Sequence, residues 1–435
     1  MEPDPQSNWR QYLQKRVVVI FLLGFSAGLP FALVYSTLTA WLETASVERS
    51  TISTFAWLGF AYSFKFVWAP LVDSTRLPLL SGLLGRRRSW MLLAQLCIGL
   101  ALFVLSQVDP GRNIELFAIA AFAVAFSSAT QDIVVDAYRI ECAEVRMQGV
   151  LAAAYQYGYR VALIFSMGGA LILSDYVSWA LTYQIMALMM IIGLIATLWA
   201  DEPAEILERF RAPAGSMVDK AVAWFQHAVA DPLGDFILRF GRFALVLIVF
   251  ISLYRISDYV LGILANPFYL DLGYTGTQIG LIAKTYGAWV TIIGIGAGGW
   301  AVLKFGVARC LVTATVLIAS TNLFFAAMVV VGPEPWMLAV TITADNIAQG
   351  FSGTVLIAFL SSLVNASFTA TQYAILSSIM SLFPKLVAGY AGNVQESVGW
   401  MGFFLYAAAL GIPAILLAGY VAARHGRYVG NGGAA

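Results

Sequence analysis

Apart from Glu115, Arg242 and Arg309 at the very ends of predicted helices, ten charged side chains interrupt the long apolar stretches of this 435-residue sequence. Charge inside a membrane-spanning helix is costly, so such residues commonly face the interior of a helix bundle and mark the path of a solute or ion. Basic residues outnumber acidic ones by six to four, a surplus that suits an anionic solute. The ten are Lys65, Asp132, Asp136, Arg139, Arg160, Arg255, Asp258, Lys284, Asp345 and Lys385.

One predicted helix carries three of these charges on a single face. Asp132, Asp136 and Arg139 recur at i, i+4 and i+7, which is the spacing of one helix face. Asp136 can pair with Arg139 within one turn, whereas Asp132 has no such partner in its own helix. A buried carboxylate whose charge is not balanced takes up a proton readily. We therefore predict that Asp132 carries a proton; a structural salt bridge with Arg160 is the alternative.

Both histidines, His227 and His425, lie in polar segments, so a proton pathway through the apolar stretches has to use carboxylates. Asp345 is the second predicted proton carrier. It lies near the middle of another predicted helix, beside Asn346 and with Gln349 on the same face. These two amides are predicted to contact the solute.

Further contacts to a solute are predicted from residue type. Arg255 and Asp258, at i and i+3, form an intrahelical pair that a substrate carboxylate could disturb. Tyr155 offers a flat ring and a hydroxyl donor for a sugar, although packing between helices would explain it as well. The other residues predicted to contact the solute are Lys65, Gln131, Asp136, Arg139, Arg160, Lys284 and Lys385. For the three lysines, an amine that extends to the membrane interface is the alternative.

The elements that position these residues follow from the composition. Hydrophobic residues make up 60% of the chain and charged residues only 11%. A soluble chain of this length cannot bury so much apolar surface, whereas lipid can cover it. Apolar stretches long enough to span a bilayer recur with short polar breaks. They cover residues 17–42, 51–72, 89–107, 113–140, 147–173, 177–200, 242–270, 276–302, 308–331, 335–363, 369–394 and 400–422.

This pattern predicts a division into two six-helix halves, residues 1–200 and 242–435, joined by a cytoplasmic linker, residues 201–241. Within the linker, Val218, Val222, Phe225 and Val229 recur at helical spacing and predict an amphipathic helix. Lysine and arginine concentrate on one side of the predicted membrane, and the other side keeps only Arg49 and Arg112. Both termini are therefore predicted to be cytoplasmic. The first apolar run is too long for a cleaved signal peptide.

The distribution of the embedded charges predicts the fold. The interiors of the third, sixth, ninth and twelfth predicted helices carry none, as expected if every third helix lies at the periphery and the others enclose a cavity. Asp73, followed by Arg86, Arg87 and Arg88 after an insertion, resembles the signature of the major facilitator superfamily between helices two and three. We predict that these four residues form a gate on the cytoplasmic side. Anchoring of the loop by its positive charge is the alternative.

Further stretches resemble a branch of that superfamily, the AmpG-type muropeptide permeases. Their order and spacing cover nearly the whole chain, so the match is specific as a set. The stretches are Gly24–Pro30, Lys65–Leu71, Gly85–Trp90, Ser128–Ala137, Gly158–Arg160 and Ser367–Tyr373. Some members of this branch carry two additional C-terminal helices.

The resemblance implies an all-α integral membrane protein with the major facilitator fold, about twelve transmembrane helices in two six-helix halves. It also implies proton-driven import of N-acetylglucosaminyl-anhydro-N-acetylmuramyl peptides across the bacterial inner membrane, for peptidoglycan recycling and beta-lactamase induction. We expect a monomer without a cofactor, a metal or a nucleic-acid partner. Acetyl-CoA or a siderophore, both bulky anions, are alternative substrates.

A membrane-embedded transferase is the alternative from another class. Asp132 and Asp136 have the spacing of magnesium-binding aspartates in such enzymes, but these sites need a second aspartate-rich cluster. The sequence offers only Asp345 beside an asparagine, and no cysteine and histidine set could hold zinc. The sequence therefore favours a transporter and predicts no metal site.

Overall fold

The computed structural model describes residues 14–204 and 216–429. Helices dominate both ranges, and we number the membrane segments α1 to α12 along the chain. Ten of them are long and apolar enough to cross a membrane: α1 Lys15–Thr44, α3 Arg86–Ser106, α4 Ile114–Glu141, α5 Val145–Ser174, α6 Trp179–Trp199, α7 Phe243–Leu272, α8 Gly276–Phe305, α9 Val307–Val331, α10 Pro335–Leu363 and α12 Ala391–Arg424. Each overlaps a stretch that the hydropathy pattern predicts.

The remaining two segments are α2, residues 49–74, and α11, Thr369–Ala388. The sequence predicts a continuous helix over residues 51–72, whereas α2 consists of three short helices joined by 3₁₀ turns. The short helices are Arg49–Thr54, Gly59–Ser63 and Ala69–Ser74. Pro70 opens the last of them, and because a proline has no N–H it cannot bond the preceding turn. The break places Lys65 in the second 3₁₀ turn, Lys65–Val67, where it is buried.

Helix boundaries follow local chemistry. The side chain of Asn113 accepts a hydrogen bond from the backbone N–H of Leu116 and so caps the start of α4. Thr275 and Gln278 form a reciprocal capping box at the start of α8. Between α8 and α9, Gly306 has a φ of +81°, a conformation that glycine adopts without steric cost. These residues fix where the spanning segments begin and end.

The linker is non-helical at residues 201–204 and helical from Met217 onward. A helix over Met217–Phe225 continues through a π-helical turn, Gln226–Ala230, into a helix over Asp231–Phe240. Val222 and Phe225, two residues of the predicted apolar face, are exposed. Residues 205–215 and the side chain of Val218 lie outside the described part of the chain. Contact of this face with the membrane surface stays a prediction.

The chain forms two compact units that interleave along the sequence. The first unit contains residues 1–144, 154–233 and 364–375, and the second contains 145–153, 234–363 and 376–435. The predicted domain boundaries near residues 200 and 242, and the predicted cavity between the two halves, stay predictions.

Each unit has its own aromatic core. In the first unit, the indole of Trp41 packs edge-on against Phe117, with ring centroids 5.0 Å apart, and the hydroxyl of Tyr183 donates to the carbonyl of Leu33 at 2.9 Å. In the second unit, Phe268 packs edge-on against Phe404 at 4.6 Å. The buried tyrosine hydroxyl keeps a partner, which removes the cost of its desolvation.

Large apolar side chains also cover the outside of the spanning helices. Leu100 of α3, Ile119 of α4, Val330 of α9 and Leu416 of α12 are all exposed. A soluble protein rarely exposes so much contiguous apolar surface, whereas lipid covers it without cost. The exposed surface therefore agrees with a membrane environment.

Small residues allow α1 and α5 to approach each other closely in the first unit. A Cβ added at Gly158 would lie 1.8 Å from the carbonyl oxygen of Phe21, and one at Gly24 would lie 2.2 Å from that of Tyr155. Both distances are far inside van der Waals contact. The close approach places Tyr155 and Arg160 of α5 beside α1.

We predict that Gly158→Ala destabilises the protein by about 1–3 kcal/mol, because the added methyl group forces the two backbones apart. The measurement is the midpoint temperature of thermal unfolding in detergent, which should be several degrees lower for the variant than for the wild type. Gly168→Ala in the same helix is the matched control, since a Cβ there meets nothing within 4 Å. Equal unfolding midpoints for the two variants would contradict the close packing.

Candidate functional site

A chain of buried charges crosses the interior of the first unit. The ammonium group of Lys65 lies 3.7 Å from one carboxylate oxygen of Asp136, and the other oxygen lies 3.4 Å from the guanidinium group of Arg139. That guanidinium group lies over the ring of Tyr373, 5.3 Å from its centroid. Arg139 is fully buried. The predicted residues Lys65, Asp136 and Arg139 therefore come together, with Asp136 shared between two cations.

Hydrogen bonds between helices hold this part of α4 in position. Ser26 of α1 donates to the side-chain oxygen of Gln131 at 3.2 Å. The indole N–H of Trp68 in α2 donates to the hydroxyl of Thr130 at 3.0 Å. Both bonds involve the residues directly before Asp132 and so hold this turn of α4 against α1 and α2. Gln131 is itself fully buried, so in this structure it is a packing residue as well as a predicted solute contact.

Asp132 differs from its neighbour Asp136 in its hydrogen bonding. Its Oδ1 atom is buried and accepts no hydrogen bond from any residue that the structure describes. Buried polar atoms normally have a partner, so an orphaned carboxylate oxygen calls for an explanation. A proton on this carboxylate would remove its buried charge.

Tyrosine rings lie on the adjacent part of α5. The rings of Tyr155 and Tyr159 are 6.1 Å apart, and the ring of Tyr159 lies 6.0 Å from that of Phe31 in α1. Tyr155 and Arg160 are partly buried. The predicted sugar-contacting ring therefore also packs against its neighbours.

In the second unit, Arg255 and Asp258 form the predicted intrahelical pair. The Nε atom of Arg255 lies 3.0 Å from Oδ2 of Asp258, and a terminal nitrogen bonds the same oxygen. The guanidinium group also lies over the ring of Tyr259, 5.7 Å from its centroid. The pair sits where α7 is interrupted between Leu253 and Ile256, so the side chains emerge beside a break in the helix.

Asp345 and its two amide neighbours lie on α10. The side chain of Gln349 donates to Oδ2 of Asp345 at 2.7 Å. Asn346 accepts a hydrogen bond from the hydroxyl of Thr291 in α8 at 2.7 Å and so joins α8 to α10. Asp345 is buried. Its hydrogen-bonded state contrasts with the orphaned oxygen of Asp132.

The two remaining predicted lysines are exposed. Lys284 lies in a π-helical segment of α8, Ile279–Tyr286, and Lys385 lies in α11 directly after Pro384. Lys65 is buried beside Asp136, whereas Lys284 and Lys385 are not buried. Both interpretations that the sequence allows, a solute contact and an amine at the interface, stay open.

The four predicted gating residues meet at one end of α3. The Nη2 atom of Arg87 lies 2.7 Å from Asp73 and 2.6 Å from Glu141, and the Nε atom of Arg87 donates to Glu141 at 2.9 Å. Arg86 bonds both the carboxylate and the carbonyl oxygen of Asp73. Both arginines and Asp73 are buried. The ends of α2, α3 and α4 are thus joined by charge-assisted hydrogen bonds, which are among the strongest in proteins.

The end of α6 completes this cluster. The carboxylate of Glu202 accepts the backbone N–H groups of Arg87 and Arg88 at 2.7 and 3.0 Å, and so caps the start of α3 with a negative charge. The side chain of Arg88 donates to the carbonyl groups of Thr197 and Leu198. Burial raises the pKa of Glu202 above its ordinary range, and the two backbone hydrogen bonds offset part of this shift.

The same cluster reaches the start of α11 and the linker. The backbone N–H of Thr371 donates to Oδ2 of Asp73 at 3.0 Å. The side chain of Gln372 donates to the carbonyl group of Pro232 at 2.8 Å, and the indole of Trp224 donates to the hydroxyl of Ser74 at 3.2 Å. Asp73 is therefore the residue at which α2, α3 and α11 meet.

Sequence reasoning missed Glu141, Glu202 and Tyr373 as members of these clusters. A run of three arginines next to a helix start requires acidic partners if the run is buried, and this rule could have drawn attention to Glu141 at the end of α4. Glu202 lies 115 positions from Arg87 in the sequence, and no local pattern connects them. Among the described residues, no group of three or more His, Cys, Asp or Glu could hold a metal ion.

Comparisons with known proteins identify the family. A family profile described as acetyl-coenzyme A transporter 1 matches residues 15–178. A transporter named AmpG 4 from Rickettsia felis is 33% identical over 408 residues, which are 93% of this chain and 96% of that protein. The anhydromuropeptide permease of Escherichia coli K12 is 32% identical over 411 residues, 94% of this chain and 80% of that protein.

Solved structures confirm the predicted fold. The proton:xylose symporter XylE matches with a TM-score of 0.66 at 14% identity and covers 94% of this chain and 95% of its own. The human organic anion transporter MFSD10 matches with a TM-score of 0.62 at 18% identity, covering 95% and 100%. FucP, a transporter of the major facilitator superfamily, matches with a TM-score of 0.67 at 13% identity, covering 94% and 99%. The chain therefore belongs to the AmpG family of transporters and has the all-α major facilitator fold of about twelve transmembrane helices.

Proposed function

We propose that the protein imports anhydro-muropeptides across the bacterial inner membrane together with protons and so returns cell-wall fragments for recycling. The observation that carries this proposal is the 32% identity to the anhydromuropeptide permease of Escherichia coli over 94% of this chain. Both termini are cytoplasmic, because that orientation places nearly all lysines and arginines of the loops inside. The protein acts as a monomer and as a transporter, not as an enzyme.

The charges of the first unit support an anionic solute. Arg139 and Lys65 share one carboxylate, that of Asp136, so one positive charge remains for a peptide carboxylate once Asp132 is protonated. Arginine binds carboxylates through two parallel hydrogen bonds. The ring of Tyr155 and the guanidinium group of Arg160, five residues further along α5, add surface for a sugar. In the second unit, a substrate carboxylate could disturb the pairing of Arg255 with Asp258.

Acetyl-CoA is the second candidate substrate, because the family profile that matches residues 15–178 is described as acetyl-coenzyme A transporter 1. It is also a bulky anion, and the same basic residues would serve it. The decisive experiment measures thermal stabilisation of the purified protein by an anhydro-muropeptide, by acetyl-CoA and by a ferric siderophore. Stabilisation by the anhydro-muropeptide alone supports the proposal, and stabilisation by acetyl-CoA alone replaces it.

The proton carrier in this proposal is Asp132. Its orphaned, buried oxygen lies one helical turn from Asp136 and close to Lys65. Uptake of a proton cancels one negative charge in the basic cluster, and the positive charge that this frees attracts the anionic substrate. Proton and substrate binding therefore favour each other electrostatically. Asp345, held by Gln349, is the second candidate.

We predict that Asp132→Asn, which mimics the protonated state, still binds and exchanges substrate but does not accumulate it against a gradient. The measurement compares uptake and counterflow in proteoliposomes with an inward proton gradient. Asp345→Asn is the matched control and should retain accumulation. Normal accumulation by Asp132→Asn would exclude this residue as the carrier, and a selective defect in Asp345→Asn would transfer the role to Asp345.

Gating is proposed for the cluster at Asp73. This carboxylate is bonded by Arg87 and by the backbone of Thr371, so it ties α2 to the starts of α3 and α11. In the proposed cycle these contacts hold the cytoplasmic side closed and separate when the site opens inward. The contacts of the linker with Ser74 and Gln372 lie on the same elements and would have to loosen in the same step.

We predict that Asp73→Asn lowers the rate of transport more than it weakens substrate binding, because an amide keeps the hydrogen bond to Thr371 but not the charge that pairs with Arg87. Initial uptake rates and the binding constant are measured on the same preparation. Asp109→Asn is the control, since Asp109 forms an exposed pair with Arg112 at 3.3 Å and exposed pairs contribute little. Unchanged uptake by Asp73→Asn would favour an anchoring role for the loop.

A further inference from the structure

Three arginines surround a cavity of about 490 Å³ in the second unit. Arg239 lies at the end of the linker helix Asp231–Phe240, Arg242 follows the turn at Gly241, and Arg424 lies at the end of α12. Gly241 has a φ of +53°, which turns the chain from the linker helix into α7. None of these arginines belongs to the clusters described above.

The cavity lies where spanning segments meet the water. The apolar span of α7 begins at Phe243 and that of α12 ends at Arg424, and both residues line the cavity. It therefore lies at the level of the lipid headgroups on one face of the membrane. Under the orientation proposed above this face is cytoplasmic; the presence of the site does not depend on that orientation.

The charge at the cavity is strongly positive. No carboxylate is among its lining residues, and Arg239 pairs with Asp235 at 2.8 Å. Three arginines less this one carboxylate leave an excess of two positive charges. Arg242 and Arg424 are exposed, so their guanidinium groups are open to a ligand. Arginine binds phosphate oxygens through two parallel N–H donors, which makes it a residue of choice for phosphate recognition.

The walls of the cavity are aromatic and apolar. The rings of Phe243 and Tyr420 lie 6.0 Å apart, and the guanidinium group of Arg424 lies over the ring of Tyr420, 4.5 Å from its centroid. Towards the membrane, Leu416, one turn before Tyr420, is 70% exposed and Leu245 is 67% exposed. A ligand that fits both the arginines and these leucines is anionic at one end and apolar at the other.

We propose that this cavity binds the phosphate headgroup of an anionic phospholipid, whose acyl chains lie along Leu245 and Leu416. Basic pockets between spanning helices at a membrane face are suited to such headgroups. The lipid joins the end of the linker helix to α7 and α12, and it therefore stabilises the second unit. Inorganic phosphate can bind the same arginines but cannot contact the leucines. A comparison of phosphate with phospholipid therefore distinguishes a free anion from a lipid headgroup.

The test uses the full-length protein, purified in a neutral detergent and reconstituted in phosphatidylcholine nanodiscs with or without phosphatidylglycerol. Bound lipid is measured by native mass spectrometry, and stability by thermal unfolding. We expect the wild type to retain phosphatidylglycerol and to unfold at a higher temperature with it, whereas inorganic phosphate alone has no such effect. The variant Arg242→Gln/Arg424→Gln should bind the lipid at least about tenfold more weakly, since it loses two charge-assisted contacts.

Two further variants make the result specific. Arg309→Gln removes an exposed arginine at the start of α9, outside the cavity, and should bind the lipid as the wild type does. Arg242→Lys/Arg424→Lys keeps the charge without the paired donors and should bind with intermediate affinity. Equal lipid binding by the wild type and the double glutamine variant would overturn the proposal, as would equal loss in Arg309→Gln. Stabilisation by inorganic phosphate as strong as by the lipid would overturn the assignment to a lipid.

Discussion

The cost of an unbalanced charge in apolar surroundings governs the arrangement of this molecule. Removing one partner of a buried ion pair typically costs several kcal/mol, because the remaining charge has lost its solvent. Arg87 and Arg139 are almost completely inaccessible to solvent, and each lies against a carboxylate that is also buried. Arg139 takes its carboxylate from the same turn of α4, whereas Arg87 takes carboxylates from two other helices. Satisfying Arg87 therefore decides which helix ends must meet.

The cluster at the start of α3 follows from this constraint. Arg87 takes Glu141 from the end of α4 and Asp73 from the end of α2, while Glu202 after α6 caps the backbone. Asp73 also accepts the N–H of Thr371 at the start of α11. The carboxylate of Asp73, at the end of α2, thus contacts the starts of α3 and α11 at the same time. A change in its pairing changes all of them together, which is the property that a gate requires.

The intramembrane carboxylates obey the same constraint in different ways. Asp136 is fixed between Lys65 and Arg139, Asp258 is fixed by Arg255, and Asp345 accepts a hydrogen bond from Gln349. Asp132 alone among these four keeps a buried oxygen without a donor in the described chain. A carboxylate that lacks a hydrogen-bond donor when it is ionised is suited to take up a proton. A carboxylate whose charge is fully paired is suited to stabilise the structure.

The sequence by itself determined the spanning segments, the residues that share a helix face and the family. Hydropathy and helical periodicity are local properties, so the positions of α3 to α10 and the Arg255–Asp258 pair could be predicted from neighbouring residues. Only the tertiary structure decided that α2 breaks around Lys65, that Lys65 joins Asp136, and that Glu141 and Glu202 complete the arginine cluster. These partners lie on different helices, up to 115 positions apart. Which helix ends meet depends on how the helices pack, and no local pattern in the sequence indicates which distant residues will pair.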